Sequence, residues 1–115
     1  MDISIKEILQ DFLIYISKER NFSNHTVLAY DRDLKKFINY IKEMHHESFD
    51  DFHLINRSQI RQFMGFEFES GLSSKTVARR LASIKSFFNY LIQIELITDS
   101  PASHVKSPKV EKNIP

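Results

Sequence analysis

Glycine and proline are absent from the first 64 residues of this 115-residue chain. Sheet topologies need such residues at their tight turns, whereas helices exclude them from their interiors. In the same region the apolar residues recur at intervals of three and four, which places them on one face of a helix. These two features predict an all-α fold, a bundle of four helices in a chain short enough for one domain.

Four segments combine an amphipathic pattern with a residue that favours a helix start. Ser4 is followed three residues later by Glu7, a capping-box arrangement, and Gly71 suits the left-handed residue that commonly follows a helix. The predicted helices begin after the cap residues Ser4, Ser23, Asn56 and Ser73. The third runs to Ser70, and the fourth ends near Ile97.

Two segments are predicted to lie outside these helices. The stretch from Met44 to Ile55 is a connection, and its apolar residues Phe49, Phe52 and Leu54 are expected to cover the core. Residues 101–115 contain three prolines and three lysines but almost no large apolar side chain, which is typical of a linker or tail outside the core. We therefore predict a helical domain over residues 1–100, followed by an extended linker over 101–115.

Several classes of protein and site are excluded by composition. Because the chain has no cysteine, it has no disulfide, thiolate zinc site or cysteine nucleophile. Its N-terminus carries Asp2 and Lys6, unlike a signal peptide, and no apolar run reaches the roughly 18 residues of a membrane span, so we expect a cytoplasmic protein. His45 and His46 are adjacent rather than at metal-ligand spacing, and neither glycine belongs to a phosphate loop. The sequence predicts no metal site, cofactor or catalytic residue.

An internal repeat appears when the chain is shifted by 50 residues, because residues 22–27 (FSNHTV) then align with residues 72–77 (LSSKTV). Two amphipathic helices with similar core patterns would explain the shared apolar residues. They would not explain the Ser-x-x-Thr pattern at both helix starts, since serine alone is a sufficient cap. A free hydroxyl on Thr26 and Thr76, beside the unpaired N–H groups of the helix start, would suit a phosphate. Both interpretations stay open on the sequence alone.

The net charge of +1 conceals an uneven distribution. Residues 40–70 hold three basic against six acidic side chains, whereas residues 71–115 hold seven basic against three acidic ones. A helical wheel gives each repeated helix one outer stripe of basic and small residues. The stripe of the second predicted helix comprises His25, Ala29, Arg32 and Lys36, and that of the fourth comprises Lys75, Arg79, Ser83 and Ser86.

A single charged stripe is ordinarily a solvated helix face. Two stripes that both begin at helix N-termini, and that mix long cations with small side chains, suit duplex DNA, because cations reach phosphates while short side chains allow approach to base edges. Arg80 lies nearer the core edge, where a DNA contact and a structural ion pair are both open.

The order and spacing of several motifs resemble the N-terminal core-binding domain of tyrosine recombinases and phage integrases, closest to the Xer type, over essentially the whole chain. The motifs are Ser23-x-x-Thr26-x-x-x-Tyr30-x-x-Asp33-Leu34-x-x-Phe37, Gly71-Leu72-Ser73, Ala78-Arg79-Arg80-Leu81, Ile84-Lys85-Ser86-Phe87-Phe88 and Pro101…Ser107-Pro108-Lys109…Pro115.

This resemblance implies a SAM-like orthogonal bundle of four helices that forms one half of a clamp around DNA at a recombination half-site. It implies duplex DNA as the partner, other recombinase protomers as partners of the full-length protein, no membrane, and a monomeric isolated domain. With the stripes it gives the candidate DNA-binding residues Ser23, His25, Thr26, Arg32, Lys36, Ser73, Lys75, Thr76, Arg79, Arg80 and Ser83.

The family cleaves DNA with a tyrosine nucleophile in its C-terminal half, which the resemblance places beyond residue 115. We therefore expect this chain to lack catalytic activity although its parent is a recombinase. The chain has four tyrosines of its own, and none of them is expected to be the nucleophile: Tyr15, Tyr30, Tyr40 and Tyr90. Tyr30 and Tyr40 fall on or beside packing helix faces and are expected to have a core or rim role. The alternative that the sequence leaves open is a helical protein-interaction module whose basic face docks an acidic partner.

Overall fold

The computed structural model describes residues 3–110, and within them it contains five α-helices and no strand. The helices are α1 (Ile5–Lys18), α2 (Asn24–Met44), α3 (His46–Asp50), α4 (Arg57–Glu69) and α5 (Ser74–Gln93). The predicted all-α class is thus confirmed, and the four predicted helices correspond to α1, α2, α4 and α5. None of the described helices has the length and apolar character needed to cross a membrane.

The helix starts follow the predicted caps. The hydroxyl of Ser4 accepts a hydrogen bond from the Glu7 amide at 3.2 Å. A complete capping box is present at α4, where Asn56 and Gln59 each accept from the other's backbone N–H. Gly71 has φ +90° after α4, the left-handed conformation expected there.

The end of α5 differs from the prediction, since the helix stops at Gln93 rather than near Ile97. Glu95 has a left-handed φ of 64°, and the Leu96 amide donates to the Leu91 carbonyl at 2.9 Å, which closes the helix. This reversal brings Leu96 and Ile97 against the core. A glycine usually marks such a stop, and glutamate gives no comparable signal in sequence.

The core combines aliphatic and aromatic side chains, and the aromatic ones link four helices. α2 and α5 pack against each other, and each also contacts α1 and α4. Phe12 of α1 meets Phe87 of α5 edge to face with ring centroids 5.6 Å apart, and Phe37 of α2 meets Phe63 of α4 in the same way at 5.4 Å. All four rings are fully buried, so α2 and α5 are held at the centre of the bundle.

The predicted connection is partly helical, because it contains α3 and a 3-10 turn over Phe52–Leu54. Phe52 is buried and Phe49 packs against the core as expected, but the expectation that Leu54 covers the core is wrong, since it is 49% exposed. The 3-10 turn points Leu54 outward once Phe52 and Ile55 occupy the core positions.

The start of the C-terminal segment also packs more closely than expected. Ala102 and Val105 are buried in the core, so the expectation that nothing beyond residue 100 belongs to it is wrong at these two positions. A turn allows this packing, since the Val105 amide donates to the Ala102 carbonyl at 3.2 Å. The division into a domain and a linker stays a prediction, and residues 111–115 lie outside the described residues.

Candidate nucleic-acid interface

The two repeated helices meet at equivalent positions of the repeat. Asp33 of α2 and Ser83 of α5 are 50 residues apart, and the Ser83 hydroxyl donates to the Asp33 carboxylate at 3.0 Å. The outer stripes of α2 and α5 therefore converge on one surface.

Two open grooves run along the contact between these helices. The cap-side groove, of about 300 Å³, is lined by His25, Thr26, Ala29, Tyr30, Asp33, Arg79, Ala82 and Ser83. The basic groove, of about 420 Å³, is lined by Arg32, Asp33, Lys35, Lys36, Asn39, Arg79 and Arg80. Because both grooves include Asp33 and Arg79, this pair lies where they meet.

A charged network underlies the grooves and links α2, α4 and α5. The Asp33 carboxylate accepts from Nε and Nη2 of Arg79 at 3.2 and 2.7 Å, and Nε of Arg80 lies 3.4 Å from it. Arg80 in turn forms an ion pair with Glu67 of α4. Both carboxylates are almost completely buried. Buried charges of this kind require partners, and the two arginines supply them.

The network raises the pKa values of two residues, Arg79 and Glu67. The hydrogen bonds to Asp33 raise the pKa of Arg79 above its ordinary value, although partial burial opposes this. Burial raises the pKa of Glu67, and the hydrogen bond from Arg80 only partly offsets this effect.

Two predicted contact residues are not on the outer surface. Ser83 was expected on the outer stripe of α5, but it is only 4% exposed and its hydroxyl is bound to Asp33. A helical wheel averages over the whole helix, whereas α2 crosses α5 at this point and covers it. Arg80 is largely covered, with its side chain 16% exposed, and its ion pair with Glu67 favours the structural role. Because Arg80 also lines the basic groove, its contact with DNA stays a prediction.

The threonines at the helix starts are also arranged differently from the expectation. Ser23 and Ser73 cap their helices as predicted, each accepting from a threonine amide at 3.2 Å. The threonine hydroxyls were expected to be free, but the Thr26 hydroxyl lies 2.9 Å from that of Ser23, and the Thr76 hydroxyl accepts from Ser73 at 3.2 Å. At three residues' separation the two side chains lie on the same side of the first turn. Each pair therefore forms a local hydrogen-bonded unit.

The remaining predicted cations are exposed. Arg32, Lys36 and Lys75 form no ion pair with any residue in 3–110, whereas Lys35 is paired with Asp31 at 3.2 Å. His25, also exposed, lines the cap-side groove. Ser23, Ser73, Lys75 and Thr76 lie near the helix starts, outside the lining of both grooves.

Sequence reasoning did not identify Asp33 and Glu67 as parts of the site. Asp33 stood inside the quoted recombinase motif, next to the basic stripe, and this position was the available signal. Glu67 belonged to an acidic segment that was treated as a whole, and nothing local distinguishes it from Glu69.

Residues 9–95 of the chain match the sequence pattern of one protein family. The matching family is described as phage integrase, N-terminal SAM-like domain. This chain belongs to that family. The resemblance to the N-terminal domain of phage integrases and the SAM-like all-α fold are thereby confirmed, and the relatives described next confirm its Xer type.

Curated relatives of this SAM-like domain are tyrosine recombinases. The chain is 36% identical to tyrosine recombinase XerC of Herpetosiphon aurantiacus over 111 residues, which cover 96% of the chain and 35% of the relative. It is 33% identical to XerD of Listeria monocytogenes and 35% identical to XerD of Staphylococcus aureus, in each case over 96% of the chain and 37% of the relative. The chain thus spans about a third of the length of these relatives. No solved structure matches the chain at a significant level.

Proposed function

We propose that this SAM-like domain binds duplex DNA as part of a site-specific tyrosine recombinase or integrase, and that it forms one half of a clamp at a recombination half-site. The observation that supports this most directly is the convergence of α2 and α5, which brings the basic stripe of α2 and Arg79 of the α5 stripe into one pair of grooves. A role on DNA is consistent with the expected cytoplasmic location.

The exposed cations suit contacts to the phosphate backbone. Arg32 and Lys36 extend along the basic groove, and Lys75 lies in the first turn of α5, where unpaired N–H groups and the helix dipole also attract anions. Because the Thr76 hydroxyl accepts from Ser73, its own proton is left to donate to a phosphate oxygen. Such contacts position a protein on the duplex, whereas sequence is read at base edges.

The cleavage and rejoining of DNA, and the contacts with other protomers, belong in this proposal to the recombinase as a whole. We expect this chain alone to form no covalent complex with supercoiled plasmid. Tyr30, Tyr40 and Tyr90 support this expectation, because all three pack in or against the hydrophobic core.

Binding to duplex DNA over a range of salt concentrations tests the proposal. We expect the logarithm of the binding constant to fall linearly with that of salt, with a slope of about −0.9 for each phosphate contacted. The double variant Lys36→Ala/Lys75→Ala should reduce this slope by about 1.8, since two phosphate contacts are removed. Neither lysine has an ion-pair partner within residues 3–110, so no carboxylate is left unpaired.

The matched control is Lys42→Ala/Arg57→Ala, which removes the same charge from exposed positions that lie outside both grooves and outside the first turns of α2 and α5. Equal effects of the two double variants would contradict the assigned surface. Chemical-shift changes on DNA addition should be confined to residues 23–36 and 73–86. Absence of such changes at low salt, with changes on addition of an acidic peptide instead, would favour the protein-interaction module.

A further inference from the structure

We propose that Asp33 is a positioning residue for DNA binding, which orients the Arg79 guanidinium so that its unused edge faces the DNA. This inference rests on the proposed function and extends it, because Asp33 itself is buried and contacts no DNA. By charge alone, a carboxylate at this surface would be expected to weaken DNA binding, because it repels phosphates. The inference instead gives Asp33 a role that strengthens binding.

The hydrogen-bond pattern defines which edge of Arg79 is occupied. Its Nε and Nη2 both donate to the Asp33 carboxylate, so the side edge of the planar guanidinium is held by two bonds. Both hydrogens of Nη1, and the second hydrogen of Nη2, point away from this edge. The Arg79 side chain is 52% exposed whereas that of Asp33 is 2% exposed. The guanidinium is therefore fixed at one edge and accessible at the other.

The carboxylate is itself held in place. Ser83 donates to the same oxygen, Oδ2, that accepts from Arg79 Nε, and Arg80 approaches the other oxygen. Arg80 is anchored by Glu67 of α4, so three helices fix the position of Asp33. An arginine that is already oriented loses less side-chain entropy on binding than one that is free in solvent.

The accessible edge presents two parallel N–H groups, which match two adjacent acceptors. Duplex DNA offers this arrangement in two places, at O6 and N7 of guanine and at the two oxygens of a phosphate. The shared chemistry is a bidentate acceptor on DNA, and the two sources are distinguished experimentally below.

Asp33→Asn provides a test in which two explanations predict opposite signs. The substitution adds one positive charge, so simple attraction to phosphates predicts tighter binding. A positioning role predicts that affinity falls by about tenfold, since an oriented bidentate contact is lost. Asp31→Asn is the matched control, because it adds the same charge on the same helix but removes a partner of Lys35. We expect it to leave the affinity unchanged or to raise it slightly.

A double-mutant cycle with Arg79→Ala separates positioning from a general loss of structure. If Asp33 acts through Arg79, Asp33→Asn has almost no further effect on affinity once Arg79 is absent. Equal losses in both backgrounds would overturn the inference. Should Asp33→Asn fail to fold, as judged by circular dichroism, Ser83→Ala replaces it. Ser83 is buried and its hydroxyl donates to Asp33, so affinity should fall less than for Asp33→Asn but in the same direction.

The duplex for these measurements is obtained by selecting the wild-type 115-residue chain against random-sequence DNA. Replacing guanine by 7-deazaguanine, or single phosphates by methylphosphonate, then identifies the acceptor, and Arg79→Ala should be insensitive to whichever change weakens the wild type. If the wild-type chain binds no duplex, the proposed function fails. If it binds while Asp33→Asn binds as tightly as Asp31→Asn, or Ser83→Ala binds as tightly as the wild type, only the present inference fails.

Discussion

α2 and α5 begin alike and then diverge. Each starts behind a capping serine that accepts from a threonine amide at 3.2 Å, and each places a phenylalanine, Phe37 or Phe87, completely inside the core. Between these features the two copies of the repeat differ at several positions, and at some of these the residues of both copies line the grooves between the helices. There α2 has Ala29, Tyr30 and Asp33 where α5 has Arg79, Arg80 and Ser83.

The agreeing positions named above, at the cap and at the core phenylalanine, are features that any such helix needs in order to begin and to pack. Among the differing positions, Asp33 of α2 contacts Arg79 and Arg80 of α5. Two helices that begin alike therefore carry opposite charges at the point where they meet, with the carboxylate on α2 and the arginines on α5.

The largest effect on stability is expected at the core position where both copies of the repeat have phenylalanine. Phe37→Ala and Phe87→Ala should each lower the free energy of unfolding by about 3–5 kcal/mol, because each creates a cavity at a fully buried ring. Urea unfolding of the two variants measures this. Ile14→Ala, at an exposed position, is the control and should change stability by only about 0.5 kcal/mol. A small loss at one phenylalanine and a large loss at the other would show that the repeated positions are not equivalent in the core.

The parts of the fold that could be predicted from sequence depend on local interactions. The serine caps act over three residues, and periodicity alone placed Phe37 and Phe87 in the core. The charged network could not be predicted in this way, since Arg79 and Asp33 are 46 residues apart and their contact depends on how two helices cross. The helical wheel for the same reason put Ser83 outside.

An intermediate effect is expected at the two caps. Ser23→Ala and Ser73→Ala should each lower the free energy of unfolding by about 1 kcal/mol, because the acceptor for the threonine amide is lost. Thermal and urea unfolding measure the losses. Ser23→Gly and Ser73→Gly are the comparison variants. Each should lower the free energy of unfolding by only about a few tenths of a kcal/mol relative to serine, so the glycine variants should be more stable than the alanine variants. Alanine variants as stable as the wild type at one site alone would show that only the other cap stabilises its helix.

The smallest effect on stability is expected at Glu67. This residue forms the ion pair with Arg80 of α5, which stands where α2 has Tyr30. Burial raises the pKa of Glu67 above its ordinary value of 4.5, while Arg80 and Arg79 lower it and Asp33 raises it further. A carboxyl with a raised pKa binds its proton more tightly in the folded state than in the unfolded state. Its contribution to stability is therefore greatest below pH 4.5 and is lost as the pH rises through the folded-state pKa.

Glu67→Gln removes this titration while keeping an oxygen that can accept from Arg80. Taking the difference in unfolding free energy between wild type and variant removes the contribution of charges remote from Glu67, so the difference reports on Glu67 and the network around it. We expect this difference, measured by urea unfolding, to shift against the wild type as the pH rises from 4.5 towards neutrality. A difference independent of pH would show that Arg80 neutralises Glu67 completely. In that case the Arg80–Glu67 pair of α5 would make stability no more dependent on pH than Tyr30 does at the equivalent position of α2.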